Sequence, residues 1–465
     1  MSHLSNRFAL EIRDSRWSEA RRFSHGYGCD FLCHERAVLE NVPRAPCRRL
    51  LDLLRIASAV FFTDRMIPRD RRGGPNSWSR TISLALQVED MEFWSDPTTN
   101  QRLHDAPQFV SGDNWAIRFS RRITGRTTGI PWQQSLASRL FPDSPRLCLY
   151  SGGLDSAAGL AHQLSLPNTK PIVPITVSHR SDLEGMVKNQ VRAIGKVFGR
   201  ELHSVCVPFE MTSPTKLDAS EETSQRSRAF LFVASGAAVA DGFGMSELEM
   251  FESGVGAINV PLLAGMYGSQ ATRGAHPHFL QLMSDLLTLV VGRPLRMVLP
   301  FMSKTKGEVV ASLARPDFRQ IANETRSCPS FPVRVPQAGR QQCCGVCAAC
   351  LFRRLAMHTA GIEEDCKHYQ YDFLSCDKTL PIRKRRYLSA FLNQVDCLTQ
   401  TDLGPLPPNI EKHLRQTHVI EAGCSVETVS GLFRRYRDEW QRLIRHAESR
   451  GCPWTKLIDL PSQAS

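Results

Sequence analysis

The residues most able to do chemistry fall into two clusters. The first is Ser151-Gly152-Gly153-Leu154-Asp155-Ser156, which follows the short apolar run Leu147–Tyr150. Adjacent glycines let the backbone turn sharply and come close to a ligand, because no Cβ intervenes. The amides of such a turn, together with the N-terminus of a following helix, seat an anion such as pyrophosphate. Ser151 and Ser156 add hydroxyl donors. Asp155 would repel a phosphate, so it is placed either to hold Mg²⁺ or to orient the loop. The string is neither a Walker A loop nor the dinucleotide G-x-G-x-x-G. The plain alternative is a strand–turn–helix junction in which Asp-Ser merely caps the helix.

The second cluster is Cys328 followed by Cys344-Gly345-Val346-Cys347-Ala348-Ala349-Cys350, with Arg353 three residues on. Three thiolates at C-x₂-C-x₂-C plus a fourth upstream can close a tetrahedral Zn²⁺ site, and four thiolates leave no open position for catalysis. Cys343 is adjacent and competes as a ligand. Free buried thiols, an iron–sulfur cluster or sulfur shuttling are the other readings.

Composition narrows the setting. The 465 residues, with 22% charged and 42% hydrophobic, suit a globular chain of more than one domain rather than a disordered or fibrous one. The net charge of +12 is spread along the chain without a polybasic tail, so a nucleic-acid partner is permitted but not required. Fifteen cysteines in so long a chain do not read as a secreted disulfide framework, and the opening MSHLSNRFALEIRDSRW has no apolar signal core. The longest near-apolar stretch, Leu231–Ala240, is far short of the ~20 residues of a membrane helix. The expectation is a cytoplasmic protein without a membrane partner, its cysteines outside the cluster reduced and mostly buried.

The elements that must position these residues follow from the pattern. From residue 146 short apolar runs alternate with helical stretches. Strands are expected at 147–150, 171–177, 202–207, 248–252 and 295–299, and helices at 155–164, 182–198, 227–240 and 306–313. That alternation predicts an α/β doubly wound parallel sheet over 146–360. The block 1–145 contains 21 arginines and no lysine, with strand-like alternation at 81–88 and 115–120 and loop material at 69–76 and 96–100. It reads as a mixed α+β accessory domain. Residues 361–465 read as a helical extension, with helices at 381–395 and 425–448. The second carries an apolar stripe from Val429 to Ile444 that suits a core or a partner surface.

SGGLDS resembles the PP-loop of the N-type ATP pyrophosphatases. That likeness implies a Rossmann-like fold of PP-loop type, with Ser151 to Ser156 binding ATP. SCP…CCGVCAACLFRR is similar to the zinc-binding signature of the 7-cyano-7-deazaguanine synthase family. Arg226-Ser227-Arg228-Ala229-Phe230-Leu231 and Pro300-Phe301 with Lys306-Gly307-Glu308-Val309-Val310 resemble two further segments of that family. The resemblance implies that Arg226 and Lys306 neutralise ATP phosphates and that Asp155 acts beside them. One segment departs. Where the family carries YPDCRPEF, this chain has Thr272–Phe279, in which only proline and phenylalanine survive and His276 and His278 appear as candidate acid–base groups.

The resemblance covers about 146–360, and longer relatives of this shape occur in bacterial anti-phage defence operons. It implies an ATP-dependent carbon–nitrogen ligase forming AMP and pyrophosphate, with ATP, Mg²⁺ and Zn²⁺. The substrate would be a 7-carboxy-7-deazaguanine-like acid, and the acceptor ammonia or an amine of a co-encoded partner protein. Two other readings stand. The basic pairs Arg121-Arg122 and Arg383–Arg386 suit a PP-loop enzyme that modifies RNA by thiolation or lysidine formation. A zinc-stabilised, non-catalytic scaffold of a defence complex is the third.

Overall fold

The computed structural model describes residues 8–14, 19–26, 28–70, 79–122, 144–167, 170–178, 181–217, 221–222, 224–261, 273–328, 333–334, 341–374, 380, 385–400, 406–452 and 454. The first block contributes β1 (Phe8–Asp14), β2 (Arg21–His25), β3 (Phe31–Cys33), α1 (Glu35–Glu40) and α2 (Arg48–Met66). It continues with β4 (Thr81–Val88), α3 (Met91–Ser95), α4 (Pro97–Ser111) and β5 (Asn114–Arg121). The alternating part follows as β6 (Arg146–Leu149), α5 (Leu154–Ser165), β7 (Ile172–Ser178), α6 (Ser181–Val197), β8 (Val205–Met211) and α7 (Arg228–Phe243). Then come β9 (Glu247–Met250), α8 (Gly254–Ile258), α9 (Pro277–Val291), β10 (Arg296–Val298), α10 (Lys306–Val310) and α11 (Arg319–Glu324). A small hairpin, β11 (Val333–Arg334) and β12 (Gln341–Gln342), precedes α12 (Ala348–Thr359). Three helices end the described chain: α13 (Arg386–Gln400), α14 (Pro408–Gln416) and α15 (Val426–Ser449).

Ten strands form one sheet in the order β10-β9-β6-β7-β8-β3-β2-β1-β4-β5. The five from β10 to β8 are mutually parallel, as the alternation predicts. The chain runs outward from β6 through β7 to β8, then returns to place β9 on the other side of β6. Strand order therefore reverses between β6 and β9, and in open α/β sheets the crevice at such a point is where ligands bind.

Successive residues of β6 face opposite layers. Leu147 and Leu149 join the core formed with α2, α7 and α9, while Cys148 and Tyr150 join the core formed with α5 and α6. Leu231–Ala240 falls inside α7 and is buried except at Phe232. No helix among the described residues is long and apolar enough to cross a membrane.

The first block is not set apart from the sheet. Its β3 pairs antiparallel with β8, so the strands of both blocks make one surface, and α2 packs on α7 within one core. Buried ion pairs reinforce that seam. Arg69 and Arg80 bond Asp64 and Asp113, and Asp64 accepts hydrogen bonds from the Ser227 amide and hydroxyl at the start of α7 (3.0 and 2.7 Å).

Residues 96–100, expected as loop, instead begin α4. Asp96 accepts from the Thr99 amide and Pro97 occupies the first helical position. An Asp-Pro pair serves a turn or a helix start equally well, and the amphipathic run after it decides. Of the loop expected at 69–76, residues 71–76 lie outside the described set, as do 381–384 of the helix expected at 381–395. The stripe on α15 is core: Val429, Leu432, Phe433, Tyr436, Trp440 and Leu443 are buried in the C-terminal cluster, with Ile444 packed at its edge.

Candidate nucleotide and metal sites

The SGGLDS string connects the end of β6 to α5 at the strand-order reversal. Gly152 takes φ +75°, and a Cβ there would come within 2.6 Å of Met186 Cε. The conformation demands glycine, and a Cβ would also push the flexible end of Met186 aside. We expect Gly152→Ala to cost about 2 kcal/mol, read as a lowered urea midpoint, and to open the turn. Gly153 occupies the helix N-cap without a side-chain cap, so the first-turn amides of α5 are left to a ligand or solvent. The Ser151 hydroxyl accepts from the Gly153 amide (3.3 Å) and lies 3.3 Å from Ser156 Oγ, which donates to the Gly153 carbonyl (2.9 Å). The side chain of Leu154 is fully buried, so its share in any ligand seat is its amide.

Three neighbouring strand ends converge here. Lys306, the first residue of α10 after β10, donates to Asp155 Oδ2. A lysine has the wrong charge for a helix's first turn, and its ion pair offsets that. Glu252, two residues beyond β9, acts on both. Burial first, and then the Asp155 carboxylate, push Glu252 up to about 7 against the pull of Lys306. Burial disfavours the Lys306 charge, but Asp155 and Glu252 outweigh it and hold its pKa above the ordinary value. Asp155 Oδ1 is buried and accepts no hydrogen bond among the described residues. A carboxylate oxygen left open beside a second carboxylate fits a hard cation such as Mg²⁺. Sequence reasoning missed Glu252. An acidic residue just past the strand adjacent to the loop strand was the signal.

The C-terminal helix fixes the Lys306 turn. Thr305 and Glu308 form a reciprocal capping box, Thr305 Oγ1 donates to Glu439 of α15, and Arg435 bonds Glu308 (2.8 Å) and the Ser303 carbonyl (2.5 Å). Burial above all raises Glu439 to about 7, despite the Thr305 bond. A carboxyl whose folded pKa is raised contributes stability that is complete below its ordinary value of 4.5 and is lost as pH passes about 7. Denaturant midpoints at about pH 5 and about pH 8 should fall in the wild type and fall less in Glu439→Gln.

Cys328, Cys344, Cys347 and Cys350 bring their Sγ atoms within 4.8 Å of one another, with Cys344 and Cys350 3.9 Å apart. Zn–S bonds of about 2.3 Å in a tetrahedron set sulfurs about 3.8 Å apart, so the group fits such an ion. Cys343 lies against Cys328 and Cys350 but outside this group, and its backbone instead bridges Tyr369. Arg353 is spent internally: it donates to the Thr325 hydroxyl (2.6 Å) and the Ala322 carbonyl (2.7 Å) and pairs with Glu364 (2.7 Å). These bonds matter for the loop, because the next residue, Arg326, donates its amide to the Gly152 carbonyl (3.3 Å). Arg326 is a second residue that sequence reasoning missed. Among the other described cysteines, Cys29, Cys33, Cys47, Cys148, Cys206, Cys366, Cys397 and Cys424 are reduced thiols as expected, although Cys366 and Cys397 are exposed and Cys452 is disulfide-bonded.

Arg226 is placed elsewhere. Its guanidinium donates to the Ser111 carbonyl (3.4 Å), and burial, then Arg69, lowers its pKa to about 10. The structure joins Asp155 with Lys306 but sets Arg226 against the end of α4. His276 is 2% exposed and its Nδ1 accepts from the His278 amide (3.2 Å), while the His278 ring lies tilted against that of His418. Pro277 and Phe279 are the first helical residue of α9 and a core residue. Burial, then Arg273, depresses His276 to about 3, so it does not exchange protons near neutrality.

Of the basic pairs, Arg121 is exposed and bonds Glu92, whereas Arg122 is buried beside Glu89. Residues 383 and 384 lie outside the described set. No protein-family model matches the chain, and no curated protein matches it.

Proposed function

We propose that the chain is an ATP-dependent carbon–nitrogen ligase that adenylates a 7-carboxy-7-deazaguanine-like acid and passes the acyl group to an amine. The observation that carries this reading is the Gly152–Gly153 turn opening α5 at the strand-order reversal, with Asp155 bonded to Lys306 and Glu252 beside them. An uncapped helix start over a glycine turn suits a pyrophosphate group, and a half-buried lysine suits charge developing as that group leaves.

In the first step a substrate carboxylate oxygen bonds to the α-phosphorus of ATP, and the bond to the bridging oxygen breaks to release pyrophosphate. In the second, an amine nitrogen attacks the acyl carbon, AMP departs with the C–O electron pair, and the amine gives up a proton. That proton passes to solvent. Asp155 and Glu252 would hold Mg²⁺, which neutralises phosphate charge when bound. The four thiolates would hold Zn²⁺ as a closed structural site. The amine is ammonia or belongs to a partner protein, in an anti-phage setting in the cytoplasm. No observation favours the RNA-modifying or scaffold readings over this one.

Pyrophosphate release from ATP tests it. Release should require the deazapurine acid, and release at the same rate without any purine would overturn the substrate assignment.

A further inference from the structure

Away from the glycine loop, the turn Arg273–His276 leads into α9, with the His276 amide donating to the Arg273 carbonyl (3.1 Å). Gly274 packs this turn on α7, since a Cβ there would meet Ala229 Cβ at 2.7 Å. Arg273 donates through Nη1 to the Phe109 carbonyl (3.1 Å) at the end of α4, and its guanidinium lies over the Phe109 ring at 4.9 Å. Among the described residues no carboxylate pairs with it, and it is only half-buried.

His276 presents a second donor. Its Nδ1 is an acceptor from the His278 amide, so in the neutral ring the proton sits on Nε2. That Nε2 is buried and has no hydrogen-bond partner among the described residues. A buried donor without an acceptor is disfavoured, and a partner that supplies the acceptor is correspondingly welcome. The titratable groups acting on His276 are Arg273, His278, His413 and His418, all basic, while the carboxylates Asp105, Asp285 and Glu421 act on His278, and Asp64 and Asp113 act on Arg226. An anion bound between Arg273 and His276 meets basic groups first, with those carboxylates beyond them.

We propose that Arg273 and His276 form an oxyanion site, in which the Arg273 fork and the His276 Nε2–H bind a carboxylate or phosphate group. The site goes beyond the adenylation reading and does not need it. His413 of α14 closes one side by bonding the Ile258 carbonyl at the end of α8. Helix α8 begins just after Glu252 and Ser253 and spans five residues, about 7.5 Å. The site therefore draws on α14 of the C-terminal helices as well as on α4 and α9.

Full-length protein free of ATP and Mg²⁺ provides the test, with ¹⁵N-labelled histidine observed by NMR. The probes are inorganic phosphate, AMP and indole-3-carboxylate, a planar bicyclic acid. At least one should shift the His276 Nε2 resonance in a saturable way. Arg273→Met should weaken that binding about tenfold or more, and His276→Asn, which keeps an N-cap acceptor but whose shorter side chain ends short of the Nε2–H position, by a comparable factor. Arg273→Lys should retain part of the affinity. Tighter binding of phosphate and AMP assigns the site to a nucleotide phosphate, and tighter binding of the acid assigns it to a carboxylate. No shift with any probe at millimolar concentration, or binding within about twofold of wild type in both variants, overturns the proposal. Either result leaves the pyrophosphate-release test untouched.

Discussion

Lys306→Met should lower the acid-dependent release of pyrophosphate by about a thousandfold, with little loss of stability. Lys306 is the half-buried cation bonded to Asp155, and Glu252 acts on the same pair. Removing it leaves two carboxylates where the proposed pyrophosphate would sit, and Glu252, already raised to about 7, loses the charge that pulled it down. The fold should tolerate this because Glu252 can protonate rather than remain a buried unpaired charge. Lys306→Arg should recover part of the rate by restoring the cation. Steady-state pyrophosphate release and thermal unfolding, measured on the same samples, separate the two effects. A rate within about tenfold of wild type would mean that Lys306 is only a structural counter-ion.

Cys347→Ser should abolish stoichiometric metal and cost about 4 kcal/mol or more, read as a lowered unfolding midpoint and loss of zinc by elemental analysis. The four sulfurs join the segment after α11 to the start of α12. That segment also carries Thr325, held by Arg353, and Arg326, which bonds the Gly152 carbonyl. Loss of the ion should therefore loosen the glycine turn as well, and nucleotide affinity should fall with stability. A strong chelator should reproduce both effects in the wild type. Unchanged zinc content in Cys347→Ser, or an unchanged midpoint after chelation, would contradict this account.

Much of the site was legible because its chemistry is local in sequence. SGGLDS carries its own geometry, since a glycine pair between an apolar run and a helix can do little but turn, and φ +75° at Gly152 bears this out. Cys344, Cys347 and Cys350 announce themselves by spacing, and Cys328 joins them across the fold. The alternating strands and helices gave the parallel sheet for the same reason.

Glu252 was not legible, because its meaning depends on β9 lying next to β6, and strand order is not written in periodicity. The union of the first block with the sheet was hidden likewise. It rests on β3 meeting β8 and on Asp64 reaching Ser227, contacts between residues more than 150 positions apart. The C-terminal helix looked like a generic amphipathic element, yet Glu439 and Arg435 brace the turn that carries Lys306. His276 read as an acid–base candidate from its residue type, and only burial shows it to be a neutral donor.

The proposed role of this loop is to direct cleavage of ATP between the α- and β-phosphates. Product analysis by ³¹P NMR, with the deazapurine acid, ATP, Mg²⁺ and an amine present, tests it most directly. The account predicts AMP and pyrophosphate in equal amounts, lost together in Lys306→Met. ADP and inorganic phosphate as the products would contradict it.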